Sequence, residues 1–425
     1  ERGHEVIVID RQPDAALETS FANAAQISVS YCEPWANREA PLKALKWMFD
    51  KEAPLLFRPQ MDWQQWRWGL QFLAQCNDAA FERNVQQIVA LGAYSHAALK
   101  DLVSTTGIEY NRLERGIAHF YTDQKSFDAA GHAVELMRKH GVQRRLVSRD
   151  ELLQIEPAFK AYGDKITGGT YTSTDESGDA RVFTQELARR CIARGAQFLY
   201  GHDVLRLNKI GNAIDSVAVM ARQPGGGGKK DFILKADAVV VACGSYSAPL
   251  LRSVGVDLPI YPGKGYSATF PLLKPEGAPM VSTIDDGKKI AMSRLGNYLR
   301  VAGTIELNGW DLTLDSSLAR ARCHMLSRRI EAILPGVCDT RTPEQGGDPQ
   351  YWTGLRPATP TNIPFIGQTR VGKLWVNAGH GTLGWTHGAG SGKALAELIS
   401  GQVPAMNFGF CGMEQGNRTL TAKVA

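Results

Sequence analysis

Apolar residues recur at helical spacing in LKALKWMF (42–49), IVALGAYSHAALKDLV (88–103), SFDAAGHAVELMRKHG (126–141), ARVFTQELARRCIARG (180–195) and LARARCHMLSRRIEAILPG (318–336). Each run predicts an amphipathic helix, and glycine or proline-glycine closes the last three. SRDELLQIEP (148–157) adds a helix N-capped by Ser148 and stopped by Pro157. The whole stretch 35–100 reads as helical. Short apolar runs predict strands at Val6 to Ile9, GIAHFYT (116–122), QFLYG (197–201), KIAMSR (289–294), NYLRVAGTIEL (297–307) and Leu374 to Asn377. VLRLNK (204–209), AIDSVAVMA (213–221) and DFILKAD (231–237) predict a β-meander feeding a buried strand, AVVVACG (238–244), with GGGG (225–228) as a flexible hairpin loop. Strands alternating with helices, plus antiparallel strands in the second half, predict a two-domain α/β chain.

Composition narrows the class without naming a chemistry. The 425 residues suffice for a large core, and 44% hydrophobic with 21% charged residues is ordinary for a globular enzyme. The net charge of +5 is small and carries no Lys/Arg block. The pairs Lys229–Lys230, Lys288–Lys289, Arg144–Arg145 and Arg328–Arg329 read as solvated faces, so nucleic acid is not an expected partner. Seven cysteines, odd in number and never in C-x-x-C, argue for a reducing compartment and against structural zinc. No apolar run reaches about 18 residues and no signal peptide opens the chain. The expected location is therefore cytoplasmic, or peripheral on the cytoplasmic face of the inner membrane. Five of the nine tryptophans (35, 47, 63, 66 and 68) share one segment with PLLFRP (54–59). Two readings stay open for them: a membrane-interface surface, or a packed aromatic core between helices.

Candidate chemistry concentrates near the C-terminus. TGLRPATPTNIPFIG (353–367) sets Arg356 on a proline-stiffened turn ahead of the 374–377 strand. Gly379, Gly381 and Gly384 follow in a turn that lets backbone amides approach a ligand, and the helix behind it, ending at Gly401, adds partial positive charge at its N-terminus. This pattern is an anion or cofactor site. At the other end, Asp10 tips the first strand, where a dinucleotide-binding fold puts the acid that bonds a ribose hydroxyl. The preceding strand and G-x-G-x-x-G turn of such a fold do not occur in the sequence; a fragment of a longer chain is the expectation, an impaired remnant the alternative. No Ser/His/Asp order, H-E-x-x-H or P-loop occurs, which sets aside hydrolase, metalloenzyme and NTPase readings.

Six segments in order, EVIVIDR (5–11), TSFANAAQIS (19–28), SGDARVFTQELA (177–188), ADAVVVACGSYS (236–247), YPGKGYSAT (261–269) and the C-terminal stretch, resemble the FAD-dependent amino-acid oxidases and dehydrogenases. The chain is most similar to the small subunits of bacterial D-amino acid dehydrogenases, within the D-amino acid oxidase-like flavoproteins. The resemblance implies a Rossmann-like FAD-binding domain (1–33, 176–257 and 352–425) and an α+β substrate domain with an antiparallel sheet (34–175 and 258–351). It implies Asp10, Arg11, Thr19, Ser20, Ala242, Gly244, Gly379, Gly381, Thr382 and Gly384 as cofactor contacts. Arg356 matches the arginine that binds the substrate carboxylate, and Tyr298 and Arg300 line the pocket. His380 either contacts flavin or substrate or packs by its ring nitrogens. Ala25 stands where the family usually has glycine, which leaves open whether the backbone there takes a positive φ. Cys243 reads as a small core residue. The implied reaction is oxidative deamination of a D-amino acid such as D-alanine to a 2-oxo acid and ammonia. Its electrons would pass to a quinone or other respiratory-chain acceptor, with peripheral membrane contact. The alternatives are an FAD oxidase or dehydrogenase of glycine, sarcosine or a proline derivative, and a non-catalytic remnant lacking flavin.

Overall fold

The computed structural model of the chain describes residues 2–47, 53–222 and 231–413. In chain order its principal elements are β1 (Ile7–Asp10), helices α1 (Trp63–Gln75) and α2 (Asp78–Thr106), β2 (Ile117–Tyr121), β3 (Gly168–Thr172), β4 (Gln197–Tyr200) and β5 (Val239–Val241). Then follow β6 (Tyr261–Pro271), β7 (Ser282–Asp285), β8 (Ile290–Leu295), β9 (Tyr298–Leu307), helix α3 (Ser317–Ile333), β10 (Gln350–Ala358), β11 (Phe365–Gln368), β12 (Leu374–Ala378) and helix α4 (Gly384–Ile399). Further helices and strands lie between them.

The largest sheet has nine strands and runs β10-β6-β9-β8-β7-β2-β3, ending on Arg145–Ser148, with Leu55–Phe57 added beside β9. Its pairs are antiparallel except β7 with β2 and β9 with Leu55–Phe57. Because side chains alternate across a pleated strand, the sheet has two unlike faces. Phe120 of β2, Tyr266, Ala268 and Phe270 of β6, Met292 of β8 and Val301 of β9 share one apolar face, packed on Leu326 and Ile330 of α3. A fully buried side chain of this size contributes about 1.5–3 kcal/mol, so this face anchors the sheet. The residues between them, His119, Gly263, Gly265, Ser267, Ser282, Ser293 and Arg300, point the other way. That face is small and polar, and the segment 19–28 lies against it. Gln26 Nε2 donates to Ser282 Oγ at 2.8 Å, Ser293 Oγ donates to the Ala24 carbonyl at 2.8 Å, and Arg300 Nη1 donates to the Asn23 carbonyl at 3.5 Å.

Two parallel ladders complete the α/β part: β1 with β4, and β5 with β12, to which β11 adds antiparallel. Among the described residues these ladders share no hydrogen-bonded pair. Helices α2 and α4 cross closely because Gly390 has no side chain: a Cβ there would stand 2.5 Å from Ser95 Cα, and the Gly390 N–H donates to Ser95 Oγ at 2.9 Å.

The structure departs from the sequence reading at four places. Residues 35–100 are interrupted by the strand Leu55–Phe57, which fills the edge of β9 opposite Ile305 to Leu307, beyond the point where β8 ends its pairing at Gly303. Arg356 lies inside edge strand β10 instead of on a turn; Pro357 is accommodated because its cross-strand partner is Pro262, so the missing donors fall together. In the 238–244 run Val241 is buried, but Val240 is 42% exposed, since β5 has a single ladder neighbour among the described residues. The paired basic residues split: Arg145 faces solvent while Arg144 is buried on Glu33, and Arg329 is held by Asp285. Residues 48–49, the 225–228 glycines and Lys229–Lys230 lie outside the described residues.

Candidate active site

The carboxyl ends of β1, β5 and β12 converge. The Arg11 guanidinium, just past the tip of β1, lies 3.9 Å over the ring of Tyr246, which follows β5. Thr19 Oγ1 and Ser245 Oγ both donate to the Leu355 carbonyl, at 3.0 and 3.3 Å, and the Gly381 N–H donates to the Pro357 carbonyl at 2.9 Å. Strand termini meeting in this way are where open α/β sheets bind ligands.

The donor set at this convergence fits a dinucleotide. Asp10 Oδ1 accepts from the Gln12 N–H at 2.9 Å, and its carboxyl pKa is raised, chiefly by burial. Gly244 has φ 55° with nothing within 4 Å of where a Cβ would stand, so the chain there is open to a neighbour. Gly379 and Gly381 take φ 88° and 55°, and α4 starts at Gly384 with no side-chain cap on its first turn, leaving amide donors and the positive end of the helix dipole at the same place. Thr382 and Ser20 are exposed beside them, as is Ala242. Arg11 differs from the rest: its guanidinium is held by both Glu18 oxygens. Cys243 is exposed at the tip of β5 and is not a core residue; its thiol pKa is raised, first by desolvation among its neighbours, which disfavours the thiolate.

On the polar face of the large sheet, Arg356 pairs with Gly263 and its guanidinium extends over Gly265. A Cβ on Gly265 would stand 2.5 Å from Arg356 Cζ, so only glycine leaves room for the planar group. Arg356 Nη1 donates to the Thr304 carbonyl at 2.6 Å. Thr304 is the extra residue where β9 shifts register against β6, and it takes φ 56°, turning its carbonyl toward the guanidinium. No carboxylate pairs with Arg356 among the described residues, and burial pushes its pKa down to about 10. A charged, oriented two-point donor is thus available to a carboxylate.

The other residues expected to line a pocket are placed differently. Tyr298 is at the hairpin end of β9, opposite Pro271 and 46% exposed, and the structure does not bring it to Arg356. Arg300 is buried on the polar face, donating to Thr269 Oγ1 at 2.6 Å; its pairing position is six residues along β6 from that of Arg356, about 20 Å of strand. His380 turns back to α4, with Nε2 3.1 Å from Ser391 Oγ, and burial lowers its pKa to about 4. It is neutral and packed by a ring nitrogen.

Sequence reasoning missed a polar cluster at the Arg356 end of the same face. Lys289 Nζ donates to Asp286 Oδ1 at 2.9 Å and lies 5.8 Å from the centre of the Tyr31 ring. Tyr31 meets His119 edge-on at 4.7 Å. His119 is fully buried, its Nδ1 stands 3.6 Å from Asp286, and its pKa falls to about 4, from burial first and then the charge of Arg144. Burial also opposes the charge on Lys289, yet Tyr31 and Asp286 hold its pKa above the ordinary value. The only sequence signal was the two acids and two lysines of IDDGKK (284–289), which looks like any exposed hairpin.

With this geometry in hand, similarity to known proteins is informative. The profile described as FAD dependent oxidoreductase (DAO) matches residues 1–398. The chain is 48% identical to the D-amino acid dehydrogenase of Dechloromonas aromatica (strain RCB) over 408 residues, covering 96% of this chain and 94% of that one. It is 42% identical over 413 residues to the D-amino acid dehydrogenase of Cereibacter sphaeroides (strain ATCC 17029 / ATH 2.4.9), covering 97% and 90%. Among solved structures, glycine oxidase from Geobacillus kaustophilus superposes with a TM-score of 0.69 at 20% identity, covering 96% of this chain and 90% of that one. L-proline dehydrogenase from P. horikoshii does so with a TM-score of 0.63 at 18% identity, covering 94% of each. At such identities the structural likeness speaks for the fold alone.

Proposed function

The chain belongs to the FAD dependent oxidoreductase (DAO) family, and on that premise we propose that it oxidises D-amino acids, D-alanine among them, to imino acids that water hydrolyses to 2-oxo acids and ammonia. The names of its relatives support the D-amino acid, and one observation carries the chemistry: the half-buried Arg356 guanidinium, held by Thr304 over Gly265 without a carboxylate partner among the described residues. Bound FAD supplies the two-electron acceptor for the Cα hydride. Asp10, Ser20, Gly244 and the amides of Gly379, Thr382 and Gly384 are the residues we assign to holding it, while the Gly381 N–H, given to the Pro357 carbonyl, shapes the turn. Arg356 binds the substrate carboxylate through two parallel N–H···O bonds, which fixes both the distance and the face of approach of Cα. The small side chains on the sheet face leave room for the substrate beside this anchor.

The electrons go to a quinone or another non-oxygen acceptor. The outer face of α1 supports a lipid-dissolved one. Trp63 and Trp66 are 68% and 47% exposed, and Leu70 and Leu73 continue the same row at i, i+7 and i+10. No helix among the described residues is long and apolar enough to cross a membrane, so this contact would be peripheral.

The deciding experiment is dye-linked turnover of the purified holoenzyme on D-alanine, with L-alanine, glycine, sarcosine and D-proline as competitors. Arg356→Ala should lower kcat/KM for D-alanine by about 10- to 150-fold, the effect of losing a charge-assisted hydrogen bond, and Arg356→Lys by less, with the flavin spectrum retained. Gly265→Ala, which pushes the guanidinium aside, should act in the same direction. Near-wild-type turnover in Arg356→Ala would move the carboxylate anchor elsewhere.

A further inference from the structure

Resting on the reading that Arg356 anchors the substrate carboxylate, we propose that the Lys289–Asp286 pair reads the substrate side chain and turns away charged ones. The placement comes from strand register. Ile290 pairs with Gly303, and the Lys289 carbonyl stands 2.9 Å from where a Cβ on Gly303 would be. The next residue, Thr304, gives its carbonyl to Arg356. The anchor and Lys289 therefore flank one short segment of β9. Both side chains work on the polar face, since Lys289 reaches Tyr31 and Asp286, and His119 of that group alternates with the core residues Ala118 and Phe120.

The charges at this end balance in pairs. Arg144 Nη1 donates to Glu33 at 2.9 Å, Lys289 pairs with Asp286, and His119 behind them is neutral. Arg356 has no such partner among the described residues, so the carboxylate of a bound amino acid supplies it, and the substrate side chain meets a wall whose own charges sum to zero. Solvent reaches Lys289, 43% exposed, before Asp286, at 18%. A cationic side chain meets the ammonium first and is repelled; an anionic one can engage Lys289 only by drawing it from Asp286, which would leave a carboxylate unpaired. Neutral side chains incur neither cost.

Two variants should shift specificity in opposite directions. Lys289→Met removes the ammonium and leaves Asp286 to attract a cation; Asp286→Asn frees Lys289 to attract an anion. With the FAD-loaded full chain, kcat/KM is measured for D-alanine, D-arginine and D-glutamate. We expect Lys289→Met to raise the D-arginine to D-alanine ratio about tenfold, and Asp286→Asn to raise the D-glutamate to D-alanine ratio about tenfold, the size expected when like charge is replaced by opposite charge. Lys289→Arg should keep both wild-type ratios. If Lys289→Met does not fold, Lys289→Gln, which retains a hydrogen bond to Asp286, should give the D-arginine shift. Equal losses on all three substrates, or ratios unmoved in both variants, would overturn the proposal and make the pair a support of the hairpin. Retained D-alanine turnover in Arg356→Ala would instead count against the anchor, so the two failures are separate.

Discussion

Ala25 holds φ at 60°, in the left-handed region that costs an L-residue about 1–2 kcal/mol. The conformation is over-determined: the Ala25 N–H is held by Asn23 Oδ1 at 2.9 Å, and its carbonyl accepts from the Gly178 N–H at 2.8 Å. The backbone path is thus kept although the glycine that would suit it is not. Ala25→Gly should relieve the strain and return part of the gain through the greater freedom of the unfolded chain, for a net stabilisation of up to about 1 kcal/mol. A higher guanidinium midpoint at unchanged slope would show it; a lower midpoint would mean that packing of the buried Ala25 methyl outweighs the strain.

Helix α1 resolves the tryptophan question by dividing it. Trp68 is buried, its Nε1–H donating to the Ala358 carbonyl at 2.9 Å and its ring stacked on Phe72 at 5.3 Å. Trp63 and Trp66 face outward, a third of a turn or more from that side, so one helix serves both core and surface. If the outer row docks on lipid, the full-length protein should co-sediment with anionic vesicles, and Trp63→Ala/Trp66→Ala should release it while dye-linked turnover stays within about twofold, because neither ring touches the site. The net charge of +5 should make binding weaken with salt. Vesicle binding equal to that of the parent in the double variant would assign the contact to another surface.

Across the whole molecule, burial keeps three histidines neutral. His119 and His380 have pKa values near 4, and His387 near 3, where burial is joined by the proximity of His380. In the unfolded chain each titrates near 6.5, so between about pH 6.5 and 4 the unfolded state binds more protons than the folded one. Stability should therefore fall as the pH is lowered through this window, by up to about 1.4 kcal/mol per unit for each histidine, and be insensitive to these groups above pH 7. Denaturant midpoints at pH 5 and 7 test this, and His387→Gln should flatten the slope by about one proton. A flat profile in the parent would mean that these rings protonate without opening the fold.

Most helices and strands were legible in the sequence because their causes are local: apolar spacing, Ser148 as a cap, glycine at helix ends, and short apolar runs. The family and the cofactor were legible for a similar reason, since they reside in short contiguous motifs. Which face of each strand points where was not. A strand's side chains alternate with a period of two, so a shift of one residue exchanges core for cavity, and the shift at Thr304 is set by pairing between β6 and β9, far from either motif. Lys289 and Asp286 of one hairpin, His119 and Tyr31 come from three separate segments whose local patterns are unremarkable. Only tertiary register gathers them, and only their burial and their neighbours then decide that Asp286 and Tyr31 keep the lysine charged and that the histidine is neutral.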